Sequence, residues 1–460
     1  MPGSHSDVLI LGGGPGGYAC ALRAAQLGLS VTIVEAEKLG GTCLHRGCVP
    51  AKAILHTAEI VENVRAGAAF GVLSQFSGVD VAALHEYKNS VIDRLYTGLT
   101  GLVGGHGIEV VSGHGRLVDA HTIEVAGTHL TGTAVVLATG SRARSIPGIP
   151  LGSRIITSDE ALNLDFVPGT AVVLGGGVIG IEFASAWASM GAQVTVVEAL
   201  PHILATEDPW CSEQLTRAFR RRGITILTAA ELAEAKPTDT GVTVDLADGR
   251  SIAADLLLVA VGRAPRTDGI GLEDNGIELD RGFVVTDPHQ RTSVDGVYAV
   301  GDIVPGPQLA HRGFQHGIVA AETIAGLTPT PTADHLVPRV TYSHPEVASV
   351  GLTEAAAHER YGAATTVTYD LAGNAKSQIL KTTGAIKVVR AGGPDQDGPV
   401  VGVHMVGDRV GELIGEAQLT VGWEALASDV APFLHAHPSQ HEALGEAMLA
   451  LAGKPLHAHW

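Results

Sequence analysis

The sequence predicts an α/β chain with two Rossmann-like dinucleotide-binding domains followed by a C-terminal α+β domain that packs or forms dimers. Two observations carry this. A strand–glycine turn–helix–strand pattern occurs twice with matched spacing, at Asp7–Glu35 and at Thr170–Glu198, and beyond about residue 340 it gives way to mixed strands and helices. At 460 residues with 45% hydrophobic content, the chain has room for about three domains.

The first copy runs from an apolar strand through Gly12-x-Gly14-x-x-Gly17 into a helix over 19–27 and a strand VTIVE ending at Glu35. The second runs from AVVL through Gly175-x-Gly177-x-x-Gly180 into a helix over 181–190 and a strand VTVVE ending at Glu198. In both, eighteen residues separate the last motif glycine from the glutamate. The first glycine makes the turn, the second admits a pyrophosphate, and the third lets helix lie on strand, leaving the helix start for negative charge. Glu35 and Glu198 suit ribose hydroxyls, and Glu198 repels a 2′-phosphate, so the second site is expected to prefer NAD(H).

Between the copies lies GGTCLHRGCVPAK, Gly40 to Lys52, which places Cys43 and Cys48 five residues apart just downstream of the first motif. On a straight helix their Cα atoms would stand about 8.6 Å apart, beyond disulfide reach, so a bridge requires a distorted turn. Gly40, Gly41 and Gly47 supply the permissive backbone. A bridge closing so short a loop restrains the unfolded chain little, so a redox-active pair explains it better than a structural staple.

Two further apolar strands stop at glycine and a basic residue, 134–148 at Gly140 and 256–267 at Gly262. A third, VYAVGDI, ends at Gly301-Asp302, where the carboxylate suits a ribitol or phosphate region. In the last region KTTGAIKVVRA and GPVVGVHMVG read as paired strands around a turn at 391–399, with helices at 411–427 and 438–453.

Lys+Arg 30 against Asp+Glu 48 gives a formal charge of −18, which argues against a broad nucleic-acid surface or a polybasic membrane patch. Glycine interrupts every apolar run before the roughly 20 residues a membrane helix needs. The N-terminus reads as lacking an export signal, and four cysteines, with Cys20 and Cys211 isolated in helix-like segments, suit a reducing cytoplasm.

With these motifs in place, GGGPGGYACALRAAQLG, GGTCLHRGCVPAK, ATGSRARSIPG, GGGVIGIEFA, VAVGRAP, VYAVGD and HAHPSQHE, the chain resembles the pyridine nucleotide–disulfide oxidoreductases, on their lipoamide-using branch. The resemblance implies a homodimer in which FAD, a redox disulfide and NAD(H) lie in line. It implies an FAD domain over 1–150 completed by 271–335, an NAD domain over 151–270, and a dimerisation domain over 336–460. It further implies that Cys43 exchanges with substrate, that Cys48 contacts the flavin, and that Lys52 sits by the flavin edge with Glu182 as its ion-pair partner. His437 is implied as the acid/base, oriented by Glu442. Pro438 suits a first helical position, so His437 is expected at a helix start, where the dipole lowers its pKa and the carboxylate raises it. The implied cycle takes two electrons from dihydrolipoamide through the disulfide and FAD to NAD⁺. The implied partner is a lipoyl-bearing acyltransferase or carrier protein of a multienzyme complex.

A metal site on His435, His437 and His441 is the rival reading of the tail, and it is disfavoured because proline interrupts any preformed ligand face. Glutathione-type reductases share the cysteine spacing and the His–Glu tail, but Pro15 and Val178 match the lipoamide enzymes and Glu198 disfavours NADPH. A mercuric reductase would carry an extra terminal cysteine pair, and this chain ends LAGKPLHAHW. A purely docking subunit is at odds with the retained Cys43, Cys48, His437 and Glu442. Departures from the family pattern are His45 in place of asparagine, Ala51 in place of serine, and Gln440-His441.

Overall fold

The computed structural model of the chain describes residues 5–394 and 396–457. β1 (His5–Leu11) leads through the first glycine turn into α1 (Pro15–Gln26), which opens on proline where a missing N–H costs nothing. β2 (Val31–Glu35) then lies parallel to β1, a pairing that requires the crossover α1 provides. The short α2 (Gly41–Arg46) and long α3 (Cys48–Ala66) follow, then α4 (Val81–Gly105). β3 (Glu109–Ser112), β4 (Gly115–Asp119), β5 (Thr122–Val125) and β6 (Thr128–Leu137) complete a sheet of order β3-β2-β1-β6-β5-β4, and β7 (Ser141–Ala143) leads out of it.

The second unit repeats the plan. β8 (Ile155–Ile156) and α5 (Ser158–Ala161) precede β9 (Thr170–Leu174), α6 (Val178–Met190), β10 (Gln193–Val197), α7 (Pro209–Arg221) and β11 (Thr225–Leu227). An antiparallel trio, β12 (Leu232–Pro237), β13 (Val242–Leu246) and β14 (Ser251–Ala254), leads to β15 (Leu256–Val259), closing a parallel sheet of order β11-β10-β9-β15-β8. Leu256, Leu257, Leu258 and Val259 are all buried, as expected of a parallel strand covered on both faces. β16 (Arg263–Pro265) pairs antiparallel with β7 and carries the chain back. After the hairpin β17 (Leu279–Asp280) and β18 (Phe283–Val284), β19 (Val297–Ala299) joins β6 in the first sheet, and α8 (Ala310–Ile324) lies along α1.

The third unit is an antiparallel sheet of order β20-β21-β24-β23-β22, from β20 (Arg339–Thr341), β21 (Glu346–Gly351), β22 (Ala364–Asp370), β23 (Ala385–Ala391) and β24 (Val400–Gly407). α9 (Glu354–Tyr361) and α10 (Ala375–Leu380) connect its strands; α11 (Val410–Gly422), α12 (Ala427–Val430) and α13 (Glu442–Leu451) follow it. The two helices read at 411–427 and 438–453 are therefore shorter. α11 ends where Glu424 turns to φ 51°, and α13 starts only at Glu442, whose carboxylate reaches back to Ser439 N at 2.7 Å as in a capping box. Among the described residues, no helix is long and apolar enough to cross a membrane.

A buried ionic cluster docks the second unit on the third. Lys387 of β23 bonds Asp208 at 3.0 Å and Glu354 at 2.7 Å, while Glu207 accepts from Arg339 at 2.9 Å and from the Ser349 hydroxyl. Lys387→Met leaves the Asp208 charge buried without its cation, which should cost about 3 kcal/mol and bring the denaturant midpoint down. An unchanged midpoint would show that the cluster does not hold the units together.

Candidate active site

Gly47, at φ −149° and ψ −113°, breaks the chain between α2 and α3 and serves both as C-cap of one and N-cap of the other. The two cysteines thus stand on separate helices, a full break rather than the distorted turn that spacing suggested. Cys43 and Cys48 are free thiols, and the Cys43 thiol donates a hydrogen bond to Cys48. That bond is the main reason the Cys48 pKa is pulled down to about 7; the Lys52 ammonium one turn on adds to it, while burial opposes both. The start of α3, with no side-chain cap, favours the same thiolate. Cys43, as the donor, is pushed far above the ordinary thiol range, with burial and the neighbouring Cys48 charge acting in the same direction. Cys20 and Cys211 are fully buried small residues of α1 and α7, and burial raises both thiols.

Lys52 Nζ meets both carboxylate oxygens of Glu182 at 2.8 and 2.7 Å and lies 4.7 Å from the centre of the Tyr342 ring. Burial alone would lower the Lys52 pKa, and Glu182 more than reverses it, so the ammonium is kept. Glu182 Oε1 also accepts from Tyr342 N at 3.0 Å, so this pair ties α3 of the first unit, α6 of the second and the edge of the third. On its other side the dithiol segment is stitched to the first glycine turn, where Gly40 N donates to Gly13 O at 2.8 Å.

The two cradles are built alike, and they show whether FAD and NAD fit. A Cβ on Gly12 would sit 2.3 Å from Ala138 O and one on Gly17 1.9 Å from Gly12 O; at Gly175 and Gly180 the clashes are 2.4 Å to Ala260 O and 2.1 Å to Gly175 O. The chain itself needs those four glycines. The middle ones differ: Gly177 has no atom within 4 Å of its would-be Cβ, and Gly14 only the Gly41 Cα at 4.0 Å. Each faces open space as the N-cap of a helix that has no side-chain cap, which leaves bare N–H groups for a pyrophosphate. The residues present therefore fit both cofactors. Glu35 ends β2 as expected and Glu198 directly follows β10, and each carboxylate also braces its own loop, Glu35 accepting from Gly13 N at 2.6 Å and Glu37 N at 2.8 Å, Glu198 from Gly176 N at 2.6 Å and Leu200 N at 2.7 Å.

Gly140 and Gly262 adopt φ 72° and 100°, turning β6 and β15 into the antiparallel pair β7 and β16. Just beyond them is a relay that sequence reasoning missed: Arg263 Nε donates to Ser141 Oγ at 2.7 Å, and Ser141 Oγ donates to Asp302 at 2.6 Å. The only local hint was the polar or basic residue following each strand-end glycine.

His437 Nδ1 lies 2.7 Å from Glu442 Oε1. Because α13 starts at Glu442, His437 is not at a helix start, and the expected dipole effect on it falls away. Burial opposes the Glu442 charge, but Ser439 N and His437 prevail and lower its pKa. The loop is held from outside by Asn374 Nδ2 on Ser439 O at 2.9 Å and Gln440 Nε2 on Asp408 O at 3.0 Å. His435 bonds Glu416 at 2.8 Å, and His441 is the N-cap of α13. Among the described residues, no group of three or more His, Cys, Asp or Glu is placed to hold a metal. No hydrogen bond or ion pair among them joins the His437 pair to the dithiol, so the structure brings the predicted residues together as two clusters. His45 bonds Leu39 O at 2.8 Å and sits edge-on to Tyr96, while Ala51 packs on the core beside α6.

Residues 6–317 match the family described as pyridine nucleotide-disulphide oxidoreductase, and residues 337–448 match its dimerisation domain. The chain is similar to proteins named dihydrolipoyl dehydrogenase, among them one of Bacillus subtilis (strain 168), 38% identical with 98% of this chain and 99% of that one covered. One of Geobacillus stearothermophilus is 38% identical over 98% of this chain and 97% of the relative. Among solved structures, LpdA of Mycobacterium tuberculosis superposes with a TM-score of 0.90 at 29% identity, covering 97% of this chain and 99% of that one. RclA of Escherichia coli, an HOCl-induced flavoprotein disulfide reductase, gives 0.85 at 25% identity, covering 96% and 99%. With its two glycine cradles, its cysteine pair and matches along nearly its whole length, the chain belongs to the pyridine nucleotide–disulphide oxidoreductase family.

Proposed function

We propose that this chain is an NAD-dependent dihydrolipoyl dehydrogenase: a flavoprotein that oxidises dihydrolipoamide to lipoamide through the Cys43–Cys48 pair. One observation carries the reading. The dithiol segment is tied to both cradles, to the first through Gly40 N, the N-cap of α2, on Gly13 O and to the second through Lys52 of α3 on Glu182 of α6. Bound FAD would supply a two-electron acceptor held by the first cradle, Glu35 and Asp302, and NAD⁺ held by the second cradle, Glu198 and Gly262 would be the final hydride acceptor.

The protein's own groups then have definite tasks. An ionised Glu442 is acceptor-only, so it fixes the proton on His437 Nδ1 and leaves Nε2 to take a proton from the substrate thiol. The substrate thiolate attacks Cys43 Sγ of the oxidised pair, the Cys43–Cys48 bond breaks, and Cys48 leaves as a thiolate beside Lys52. Attack at Cys43 makes Cys48 the leaving thiolate, the one that stands at the start of α3 with the Lys52 ammonium one turn on, and a stabilised thiolate is the better leaving group. The second substrate thiol then displaces Cys43, its proton passing to the departing Cys43 sulfur, giving lipoamide and a reduced Cys43–Cys48 pair.

A homodimer completes the site in this reading. His437 is 72% exposed, and Phe433 and Leu434 beside it are 71% and 98% exposed, an apolar face suited to a second copy. We assign FAD to 1–150 with 271–335, NAD to 151–270 and dimerisation to 336–460, supported by the return of β19 to the first sheet. The physiological substrate is assigned as the lipoyl group of an acyltransferase or carrier protein in a multienzyme complex. A cytoplasmic setting fits a chain of only four cysteines in which Cys20 and Cys211 stand isolated in the core. The test is turnover of purified protein with dihydrolipoamide and NAD⁺ against glutathione disulfide and NADPH. NADH formation is expected from the first pair; glutathione reduction without it would overturn the reading.

A further inference from the structure

α6 is apolar along most of its length, yet Glu182, Ser185 and Ser189 recur at helical spacing on one buried stripe, each under 7% exposed. The N-terminal end of the stripe holds Lys52. Its C-terminal end is held by Arg222, the C-cap of α7. Arg222 Nη1 donates to Ser185 Oγ at 2.9 Å and to His344 O at 2.7 Å; Nη2 donates to Ser189 Oγ at 2.7 Å and to Glu62 Oε1 at 3.1 Å. Arg65 adds a bond to Ser189 O at 2.5 Å. One guanidinium therefore clamps α6, the distal half of α3 and the 342–344 segment together. That segment also returns to the stripe through Tyr342 N on Glu182 and His344 N on Ser185 Oγ at 2.8 Å.

α3 is a single helix with Cys48 and Lys52 at one end and Glu62 at the other. α6 likewise begins at the second cradle, carries Glu182 one turn in and Ser189 near its end. Two rods bolted at both ends keep a fixed spacing; without Arg222 the far end loses its ties to Ser185, Ser189 and Glu62 at once and keeps the Arg65 bond to Ser189 O, a looser joint. We propose that Arg222 is a positioning residue for the redox pair: by fixing α6 against α3 it keeps Glu182 where it holds Lys52 beside Cys48. The inference rests on the role given above to Cys48 as the thiolate of the pair. Arg222 touches neither thiol and makes no contact with the reacting atoms; it acts through Glu182 and Lys52.

The titratable and charged groups facing the assembly are Cys43, Tyr18, Glu182 and Arg263 around Cys48 and Lys52, Tyr342 with Glu346 behind it, and Glu62 and His344 around Arg222, with Asp408 and Glu59 beyond His344. Arg222 is several turns from Cys48, so its own charge is a weak direct influence on the thiol. A change at Cys48 on removing Arg222 therefore reports displaced Lys52.

The measurement is the charge-transfer absorbance of the Cys48 thiolate against oxidised flavin, followed against pH in the dithiothreitol-reduced, FAD-loaded protein. The wild-type midpoint is expected near 7. Arg222→Met should move it up by about one pH unit, the size of shift that follows when an opposite charge draws away, with Arg222→Lys in between. Ser189→Ala, which removes one acceptor of the guanidinium with little loss of volume, should shift it the same way by less and serves if Arg222→Met does not fold. Lys387→Met, which destabilises a distant contact, should leave the midpoint in place. A midpoint unmoved in Arg222→Met and Ser189→Ala overturns the positioning role. A midpoint moved equally by Lys387→Met overturns it too, by showing a general effect of lost stability. A wild-type thiol titrating in the ordinary range would instead overturn the role assigned to Cys48, and with it this inference.

Discussion

Serine at either Cys43 or Cys48 is expected to remove dihydrolipoamide-dependent NADH formation by at least about a thousandfold, because a pair that acts as one unit fails when either member is lost. The two variants fail for different reasons. Cys43→Ser retains the Cys48 thiol at the start of α3 with Lys52 beside it, and the serine hydroxyl can take over as hydrogen-bond donor, so that thiol still titrates low. Cys48→Ser retains only Cys43, which loses its acceptor and the stabilised leaving group. Neither substitution touches a cradle glycine, so flavin content, read from the visible spectrum of the purified protein, should match the wild type. Substantial turnover in either variant would mean that electrons bypass the sulfurs.

His437→Gln is expected to lower turnover of dihydrolipoamide by about 10²–10⁴-fold, the range a positioned general base contributes. Glu442→Gln should act in the same direction, since it removes the ionised acceptor that fixes the proton on Nδ1 and weakens the anchor on Ser439 N. Co-expressing Cys43→Ser with His437→Gln gives a sharper result. If the site is shared between two copies, a mixed dimer contains one site with intact sulfurs and an intact imidazole, and activity returns. Activity no higher than that of the separate variants would show that His437 serves its own chain's thiols.

Most of the site was legible because its parts are local. The glycine turns and the cysteine pair are each read within a dozen residues or so, and period-2 or period-3.6 patterning around them gives the element types; the His437–Glu442 pair is as local but came from resemblance. Even Lys52 with Glu182, 130 residues apart, came only from resemblance and not from spacing. What was not legible depends on contacts across the chain or on a single backbone angle. The break at Gly47 leaves the Cys43–Cys48 spacing unchanged, so no pattern marks it. The late start of α13 is set by where Glu442, Asn374 and Gln440 hold the preceding loop, whereas Pro438 alone argues for an earlier start. The Arg263–Ser141–Asp302 relay and the Arg222 clamp join residues more than 100 positions apart, beyond the reach of any window.

The doubled role of Glu198 bears on attempts to redirect the enzyme toward a phosphorylated coenzyme. Exchanging that acid for a neutral or basic side chain removes the repulsion of a 2′-phosphate, but it also cuts the two bonds that hold Gly176 and Leu200 in place. A single swap thus loosens the cradle it was meant to retune, and a workable redesign has to give those two amides new acceptors while it makes room for the extra charge.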